Sequence, residues 1–216
     1  MCGRYALWQL KEYQDHFQSK IAPYNLTPRY NAAPGQFLPV VYNGKLEMMR
    51  WGLVPHWSNE FKTTFSTINA RSEDIENKPL YRQPFKSQRC LVPANGFYEW
   101  DKKGKEKTPY FIHLKSRELF AFAGLWDFWK DAEGKEFKSY TILTCKPNKL
   151  VAPIHNRMPV ILPIIKEKMW LDDQSQPDVL KKILEPYPAN EMEAYQVSTM
   201  VNKPQNEGNA LIAEFP

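Results

Sequence analysis

The sequence predicts an α+β protein with a mainly antiparallel β core, barrel-like or sandwich-like, and a few flanking helices. Three observations favour this class. Many apolar or aromatic runs have the length of strands and are bounded by Gly, Pro or Asn; helical spacing of apolar residues occurs in few segments; and no repeat or low-complexity linker interrupts the chain. The 216 residues are expected to form a single domain, residues 1–216.

A helix, a loop and a hairpin are predicted first. Apolar residues from Leu7 to about Ser19 recur at helical spacing, which indicates an amphipathic helix. The proline-rich residues 21–36 are expected to form extended loop. Next, FLPVVYN and KLEMMRWGLV flank Asn43-Gly44, and this pair readily adopts the positive φ angles of a type I′ turn. These two runs are therefore predicted to pair as a β-hairpin.

The remaining elements follow from the same signals. Residues 55–88 are polar and irregular, and a short helix is predicted through Ile75 to Tyr81. Strands are predicted in RCLVPANGFYEW, PYFIHLK, LFAFAGLWDFW, SYTILTC and YQVSTMVN, with a charged loop at Lys102 to Thr108. A prolyl loop, KLVAPIHNRMPVILP, leads into a buried strand. Residues 166–185 are predicted to be helical pieces broken at Pro177.

Composition narrows the function classes. The formal charge of +5 and the 14% aromatic residues permit contact with a polyanion without selecting a nucleic-acid binder over a basic enzyme. Three cysteines, Cys2, Cys90 and Cys145, lie far apart, with no CxxC pair and no histidine cluster. This spacing argues against a disulfide scaffold and a metal site, and no cofactor is expected. Cys90 and Cys145 are predicted to be small buried apolar residues.

The N-terminus lacks a charged leader followed by an apolar run, and no window approaches eighteen uninterrupted apolar residues. We therefore expect a cytoplasmic, reducing location and no membrane contact, with the protein on the nucleoid when it is bound to DNA. A monomer is also expected.

The first residues, Met1-Cys2-Gly3-Arg4, carry the most distinctive chemistry. Loss of Met1 leaves a thiol and an α-amine on one carbon skeleton, and roughly 10–20% of such an amine is neutral at pH 7. This 1,2-aminothiol can condense with an aldehyde and close through sulfur to a thiazolidine, or it can attack an acyl carbon. A small residue at position 2 also occurs without any chemical role, so the start of the chain alone does not decide.

Other polar residues each allow two interpretations. Glu99, between Tyr98 and Trp100, is either a solvated edge residue or a carboxylate held in a cleft for proton transfer. His155 is either a structural loop residue or a proton shuttle. Asn69 and Arg71 either cap a helix and decorate a surface, or orient a reacting group and grip a phosphate.

Eight sequence blocks, in order, cover essentially the whole chain. They are MCGRY, YNAAPGQ, RWGLVPHW, INARSE, RCLVPANGFYEW, FAGLWD, IHNRMPVIL and VNKPQNEG. Together they resemble the SRAP domain (SOS response-associated peptidase) family. The resemblance implies the SRAP fold and a sensor and shield of abasic sites in single-stranded DNA, including junctions with duplex DNA. It also implies that Met1 is lost and that Cys2 links to the ring-opened deoxyribose aldehyde as a thiazolidine.

The resemblance assigns roles to particular residues. Cys2 is the nucleophile, Asn69 positions its amine, Glu99 is the acid/base group, and His155 serves the sugar oxygen. The DNA backbone is held by Arg4, Arg71 and Arg157, and the strand is shaped or stacked upon by Pro34, Trp57 and Trp100. Around Thr144 the chain departs from the family pattern, because TCKPNKL replaces a Thr-rich turn. No DNA contact is assigned to Thr144.

Three other functions use the same features. The first is a thiol peptidase or hydrolase of the N-terminal-nucleophile type, limited to removing Met1 or extended to other substrates. The second is an abasic-site lyase acting through the N-terminal amine, since an imine can promote β-elimination. The third is a non-covalent reader of single strands, which rests on basic and aromatic composition.

Overall fold

The structure is a computed structural model that describes residues 2–9, 26–62, 67–101, 107–116 and 119–215. Its strands are β1 (Tyr5–Leu7), β2 (Arg29–Ala32), β3 (Phe37–Tyr42), β4 (Lys45–Trp51), β5 (Asn69–Arg71), β6 (Arg89–Ala94), β7 (Gly96–Asp101), β8 (Thr108–Leu114), β9 (Phe120–Lys130), β10 (Glu136–Cys145), β11 (Met158–Pro159), β12 (Ile161–Leu162) and β13 (Met192–Gln196). Its helices are α1 (Pro79–Ser87), α2 (Ile164–Leu171) and α3 (Pro177–Lys182). Short 3₁₀ turns cover Ser72–Asp74, Ala189–Glu191, Thr199–Asn202 and Asn209–Ile212.

Five strands close into a barrel in the order β4-β3-β6-β9-β10, with β10 pairing β4 again. The β4–β10 pair is parallel and the other four pairs are antiparallel. A closed ring of five strands needs such a pair, because strand directions can alternate all the way round only when the number of strands is even. The barrel confirms the predicted α+β class with a mainly antiparallel core.

The far end of β10 extends the barrel towards the candidate site. Along one edge, β5 continues where β4 stops and pairs Asn69 with Ile142. Along the other edge, β11 continues beyond β9 and pairs Pro159 with Thr144. The strand end around Thr144 is therefore flanked by the INARSE segment on one side and by the end of the IHNRMPVIL loop on the other.

A second, antiparallel sheet has the order β13-β8-β7-β1-β2 and packs on the barrel through β1. The ring of Tyr5 lies 5.1 Å from that of Trp51 and 5.9 Å from that of Phe122. Its hydroxyl lies 3.0 Å from the Tyr140 hydroxyl, so one polar contact joins the two layers inside an apolar core. This packing carries the N-terminal segment onto the barrel.

Several predicted elements are confirmed. The hairpin β3–β4 turns at Asn43 and Gly44, whose φ angles are 48° and 67°. Both values are positive, as a type I′ turn requires. The helical region after residue 163 breaks before Pro177, which opens α3. Cys90 and Cys145 are buried, as expected.

Other predictions are wrong in position. Leu7 ends strand β1 and does not begin a helix, and the rest of the predicted helix from residue 10 onward lies outside the described residues. The predicted loop contains a strand at Arg29–Ala32, because pairing with β1 overrides the local proline signal. The short helix begins at Pro79 and not at Ile75. Proline favours the first helical position, and Lys78 before it is extended.

Two more boundaries differ. Asn69–Arg71, in the stretch predicted to be irregular, forms a strand against β10. The last predicted strand ends at Gln196, and Thr199–Asn202 turns as a 3₁₀ helix. Of the predicted loop at Lys102 to Thr108, residues 102–106 lie outside the described residues.

In the part of the chain that the structure describes, no helix has both the length and the apolar character needed to span a membrane.

Candidate functional site

Cys2 is fully buried and lies three residues before β1. The antiparallel pairing of β1 with β7 places Arg4 beside Tyr98, whose N–H donates to the Arg4 carbonyl at 3.0 Å. Cys2 therefore points back along β7 towards Glu99, and its Sγ donates a long hydrogen bond of 3.7 Å to the same carbonyl. Burial raises the pKa of the Cys2 thiol well above its usual value, and the Glu99 charge raises it further. At rest the sulfur carries its proton.

Glu99 is 2% exposed, which rules out the solvated edge interpretation. Strand alternation on β7 sends Tyr98 to the opposite face, where its ring packs on Phe111 at 5.0 Å. The Glu99 carboxylate is therefore on the face that carries Cys2. A buried carboxylate beside a protonated thiol is placed to accept the sulfur's proton.

Asn69 lies in β5 and is buried. Its Nδ2 donates weakly to the Ile142 carbonyl at 3.4 Å, and its Oδ1 has no hydrogen-bond partner among the described residues. An unsatisfied buried acceptor costs about 1–3 kcal/mol, so a donor that binds to Asn69 Oδ1 would stabilise the site. Asn69 belongs to a strand, so the helix-cap interpretation is wrong.

His155 lies in the loop between β10 and β11, and its Nδ1 faces the backbone of Arg157. It accepts the Arg157 N–H at 3.1 Å and lies 3.2 Å from the Arg157 carbonyl. When Nδ1 accepts, the neutral ring carries its proton on Nε2; when the ring is protonated, Nδ1 donates to the carbonyl instead. Both protonation states thus have a backbone partner, as a proton shuttle needs.

The two halves of the site meet at β10. The hydroxyl of Tyr5, three residues after Cys2, lies 3.0 Å from the Tyr140 hydroxyl of β10, and all three residues belong to one buried cluster. Two residues further along β10, Ile142 pairs with Asn69. The barrel strand therefore links the Cys2–Glu99 pair to the Asn69 and His155 segments.

Arg71 and Arg157 both lie beside Thr144. Arg71 is exposed and pairs with Thr144 across the β5–β10 ladder. Arg157 donates to the Thr144 carbonyl at 2.6 Å and forms two bonds of 2.7 Å with the Glu73 carboxylate. Thr144 itself is buried, and its hydroxyl donates to the Ala70 carbonyl. The two arginines thus have different surroundings although the sequence assigned them the same role.

Arg4 and Trp100 are held by a C-terminal segment, residues 201–206, whose role the sequence did not indicate. Arg4 Nη1 donates to the Val201 carbonyl at 2.8 Å and to Asn31 Oδ1 at 2.6 Å. Trp100 Nε1 donates to Asn202 Oδ1 at 2.7 Å, and the Arg4 guanidinium lies 5.9 Å from the Trp100 ring. The VNKPQNEG block, which resembles the family, was the available signal for this segment.

Asn31 fastens that segment to β2. Its Nδ2 donates to the carbonyls of residues 201, 203 and 206 at 3.3, 2.9 and 3.0 Å. The Asn31 side chain is fully buried, so its amide has no water to bond in place of these carbonyls.

We expect Asn31→Ala to lower the free energy of unfolding by about 1–3 kcal/mol, because buried carbonyls and Arg4 lose their partner. Urea unfolding measures this. Asn59→Ala, in an exposed loop, is the control and should change stability by less than about 0.5 kcal/mol. Equal, small losses in both variants would show that Asn31 does not fasten the segment.

Trp57 and Pro34 lie in surface loops. Trp57 is 51% exposed, and its ring meets His56 edge-on at 4.7 Å. The His56 N–H and ring Nδ1 both lie within 3.2 Å of the buried Asp127 carboxylate, which steadies the loop. Pro34 opens the turn that ends at Gln36 and is half-buried. Trp57 therefore offers an exposed aromatic face on an anchored loop.

Trp57 lies to one side of the candidate reactive residues, further back along β10. Its loop joins β10 near Ser139, whose hydroxyl accepts the Val54 N–H. Asn69 lies opposite Ile142, three residues further, or roughly 10 Å along the strand. The described residues contain no group of three or more His, Cys, Asp or Glu side chains arranged to hold a metal ion.

The fold and the site define a class of β-barrel proteins with a buried thiol close to the N-terminus, a buried carboxylate near it, and arginines and an exposed tryptophan around them. The chain belongs to the family described as SOS response associated peptidase (SRAP), which matches residues 1–204. The resemblance found in the sequence blocks is thereby confirmed.

Named relatives and a solved structure agree with this membership. The abasic site processing protein YoqW of Bacillus subtilis (strain 168) is 43% identical over 227 aligned residues, covering 98% of this chain and 99% of that protein. The abasic site processing protein HMCES of Xenopus tropicalis is 35% identical, covering 83% of this chain and 64% of that protein. A crystal structure from Bacteroides thetaiotaomicron has a TM-score of 0.89 and 26% identity over the whole of both chains.

Proposed function

We propose that this protein captures abasic sites in single-stranded DNA through Cys2, after loss of Met1, as a covalent thiazolidine that shields the lesion. The observation that carries the proposal is the fully buried Cys2 thiol beside the buried Glu99 carboxylate. The names of relatives such as YoqW, an abasic site processing protein, support the substrate.

The first step opens the sugar. An abasic deoxyribose is mostly a closed hemiacetal, so its aldehyde must be released before an amine can attack. His155 donates a proton to the ring oxygen as the C1′–O bond breaks, and the hemiacetal hydroxyl gives its proton to solvent water, from which His155 is reprotonated. Its two backbone partners at Arg157 support the ring before and after this transfer.

The second step forms the imine. Removal of Met1 turns the Cys2 nitrogen into an α-amine, and the buried Asn69 Oδ1 is suited to accept its N–H. The amine attacks the aldehyde carbon to give a carbinolamine. The Glu99 carboxylate then takes the remaining N–H proton of the carbinolamine and delivers it to the departing hydroxyl, which leaves as water.

The third step closes the ring through sulfur. Because the Cys2 thiol is protonated at rest, the amine attacks first and the sulfur follows. Glu99, again a carboxylate, takes the thiol proton while sulfur bonds to the imine carbon, and it passes that proton to the nitrogen, to which the imine electron pair returns. Aldehyde and aminothiol thus give thiazolidine and one water. The closed ring removes the imine that would otherwise promote β-elimination and strand scission.

The surrounding side chains suit a single strand. Arg4 and the exposed Arg71 supply positive charge, and Trp57 offers a face on which a base can stack. Trp100 and Pro34 shape the path of the strand beside the lesion. Arg157 lies in a more enclosed position, paired with Glu73, and reaches a phosphate only where that pair opens.

The test mixes the chain, shown by intact mass to lack Met1, with an oligonucleotide carrying one abasic site. We expect a denaturant-stable conjugate from the native chain and from the control Cys145→Ser, which removes another buried thiol. Cys2→Ser keeps the amine and loses sulfur, so it should lose the durable conjugate. An equally durable conjugate from Cys2→Ser would overturn the thiazolidine mechanism.

Two further readouts separate the alternative functions. Cys2→Ala retains an amine and is expected to cleave some of the abasic strand, whereas a fully intact strand would count against an imine intermediate. Removal of Met1 by the chain itself should stop at one peptide bond per molecule. Release of many products from added peptides would show a turnover peptidase instead.

A further inference from the structure

Glu73 and Arg157 form the best-defined ion pair around the site. Arg157 Nη1 and Nη2 each donate to one Glu73 carboxylate oxygen at 2.7 Å, which is the planar two-bond geometry. The Arg157 side chain is 13% exposed and that of Glu73 44%. The Arg157 hydrogen bonds hold the pKa of Glu73 below its usual value, so the pair is charged at neutral pH.

The pair joins two loops that each carry a site residue. Glu73 follows β5 and therefore lies four residues beyond Asn69. Arg157 is anchored a second time, because its Nη2 donates to the Thr144 carbonyl on β10. The backbone N–H of the same arginine donates to His155 Nδ1 at 3.1 Å. One continuous chain of contacts thus runs from the Asn69 segment through Arg157 to the His155 ring.

We propose that Glu73 is a positioning residue for the reaction: by holding Arg157, it fixes the backbone amide that orients His155 and keeps the neutral ring protonated at Nε2. The effect of Glu73 on the reaction rests on the proposed function. It also changes the expected role of Arg157, which acts first as a brace between the two loops and grips phosphate at most as a secondary task.

The hydrogen-bond geometry favours a brace over a phosphate site. A phosphate that took both guanidinium nitrogens would have to displace two charge-assisted bonds to Glu73 and leave that carboxylate against the DNA. The Arg157–Glu73 pair has no net charge, so it attracts a polyanion less than a lone arginine does. Arg71, exposed on the neighbouring strand, offers its charge without that cost.

The experiment compares Glu73→Gln with Glu76→Gln. Glu76 lies three residues away, has a side chain 41% exposed and pairs with Lys181 at 2.9 Å, so its variant removes the same charge without touching the brace. Nitrogen NMR of the histidine rings reads the tautomer directly. Because the chain has four histidines, the His155 signals are identified by their loss in His155→Gln. The expected result is a neutral Nε2–H ring in the native chain and in Glu76→Gln, and a mixture of tautomers in Glu73→Gln.

Kinetics give the second readout. We expect Glu73→Gln to slow capture of an abasic strand by roughly 10- to 100-fold, with unchanged affinity for an intact single strand relative to Glu76→Gln. In a His155→Gln background the Glu73 change should add little, since both act through one ring. Thermal unfolding of each variant checks that the fold persists.

Several outcomes would overturn the proposal. An unaltered His155 tautomer in folded Glu73→Gln, or a full additive loss in the His155→Gln background, would remove the positioning role. Tighter binding of intact DNA by Glu73→Gln than by Glu76→Gln would show that Glu73 instead competes with phosphate for Arg157. If the native chain captures no abasic strand, the proposed function fails, whereas the tautomer measurement still decides the role of Glu73.

Discussion

Glu99→Gln is expected to slow thiazolidine formation by about 10²–10⁴-fold at neutral pH. The amide has nearly the same shape as the carboxylate but can neither give a proton to the departing hydroxyl nor take one from the thiol. Both needs fall on this residue because it is buried next to Cys2. Rates of conjugate formation, measured under single-turnover conditions, give the loss directly.

In the same variant we expect a second change, in the pKa of the Cys2 thiol. This change would by itself favour capture, so it isolates the proton-transfer role of Glu99. Since the Glu99 charge raises the pKa of the Cys2 thiol, its removal should lower that pKa and increase the thiolate fraction at a given pH. Thiolate absorbance across a pH titration, with Cys2→Ser as reference, measures the shift. Capture that slows although the thiolate becomes more abundant assigns the loss to proton transfer and not to nucleophilicity.

Glu133→Gln, in the exposed turn between β9 and β10, removes an equal charge away from the site and serves as the control. It should leave the capture rate and the thiol titration unchanged. A Glu99→Gln variant that captured abasic strands at the native rate would exclude Glu99 as the acid/base group.

Arg89→Met is expected to cost about 3–5 kcal/mol of folding free energy, because it strips one buried charge from a set of carbonyl partners. The Arg89 residue is 3% exposed. The guanidinium donates to the carbonyls of Phe85, Lys86, Trp170 and Asp172 and to the Asp173 carboxylate, at 2.5–3.2 Å. These acceptors belong to the ends of α1 and α2, whose last carbonyls have no partner within their own helix.

Urea unfolding measures the change as a lower midpoint with a similar slope. The control is Arg82→Met, on the exposed side of α1, where Arg82 Nε donates to the Glu76 carbonyl at 3.0 Å. Loss of this exposed cation should cost less than about 1 kcal/mol of folding free energy. If both arginine variants lost the same stability, the buried fan of hydrogen bonds around Arg89 would not be what ties the two helices together.

Local signals predicted the elements whose conformation is set within a few residues. The Asn43-Gly44 turn and the break at Pro177 depend on backbone φ preferences and on a missing N–H, which each residue brings with it. The strand at Arg29–Ala32 escaped prediction because its pairing with β1 involves residues more than twenty positions away. The helix at Pro79–Ser87 was predicted to begin too early in the chain, because the prediction did not use the proline at its first position as a start signal.

The site divides in the same way. The chemical groups could be read from the sequence: a thiol at Cys2 next to Met1, a carboxylate at Glu99, an imidazole at His155 and an amide at Asn69. The folded chain adds what the sequence could not show: Glu99 is buried near Cys2, Asn31 binds residues 201–206 above Arg4, and Glu73 holds Arg157. These features escaped prediction because pKa values, burial and hydrogen-bond partners depend on neighbours in space, and here those neighbours lie about 80 to 170 positions apart along the chain.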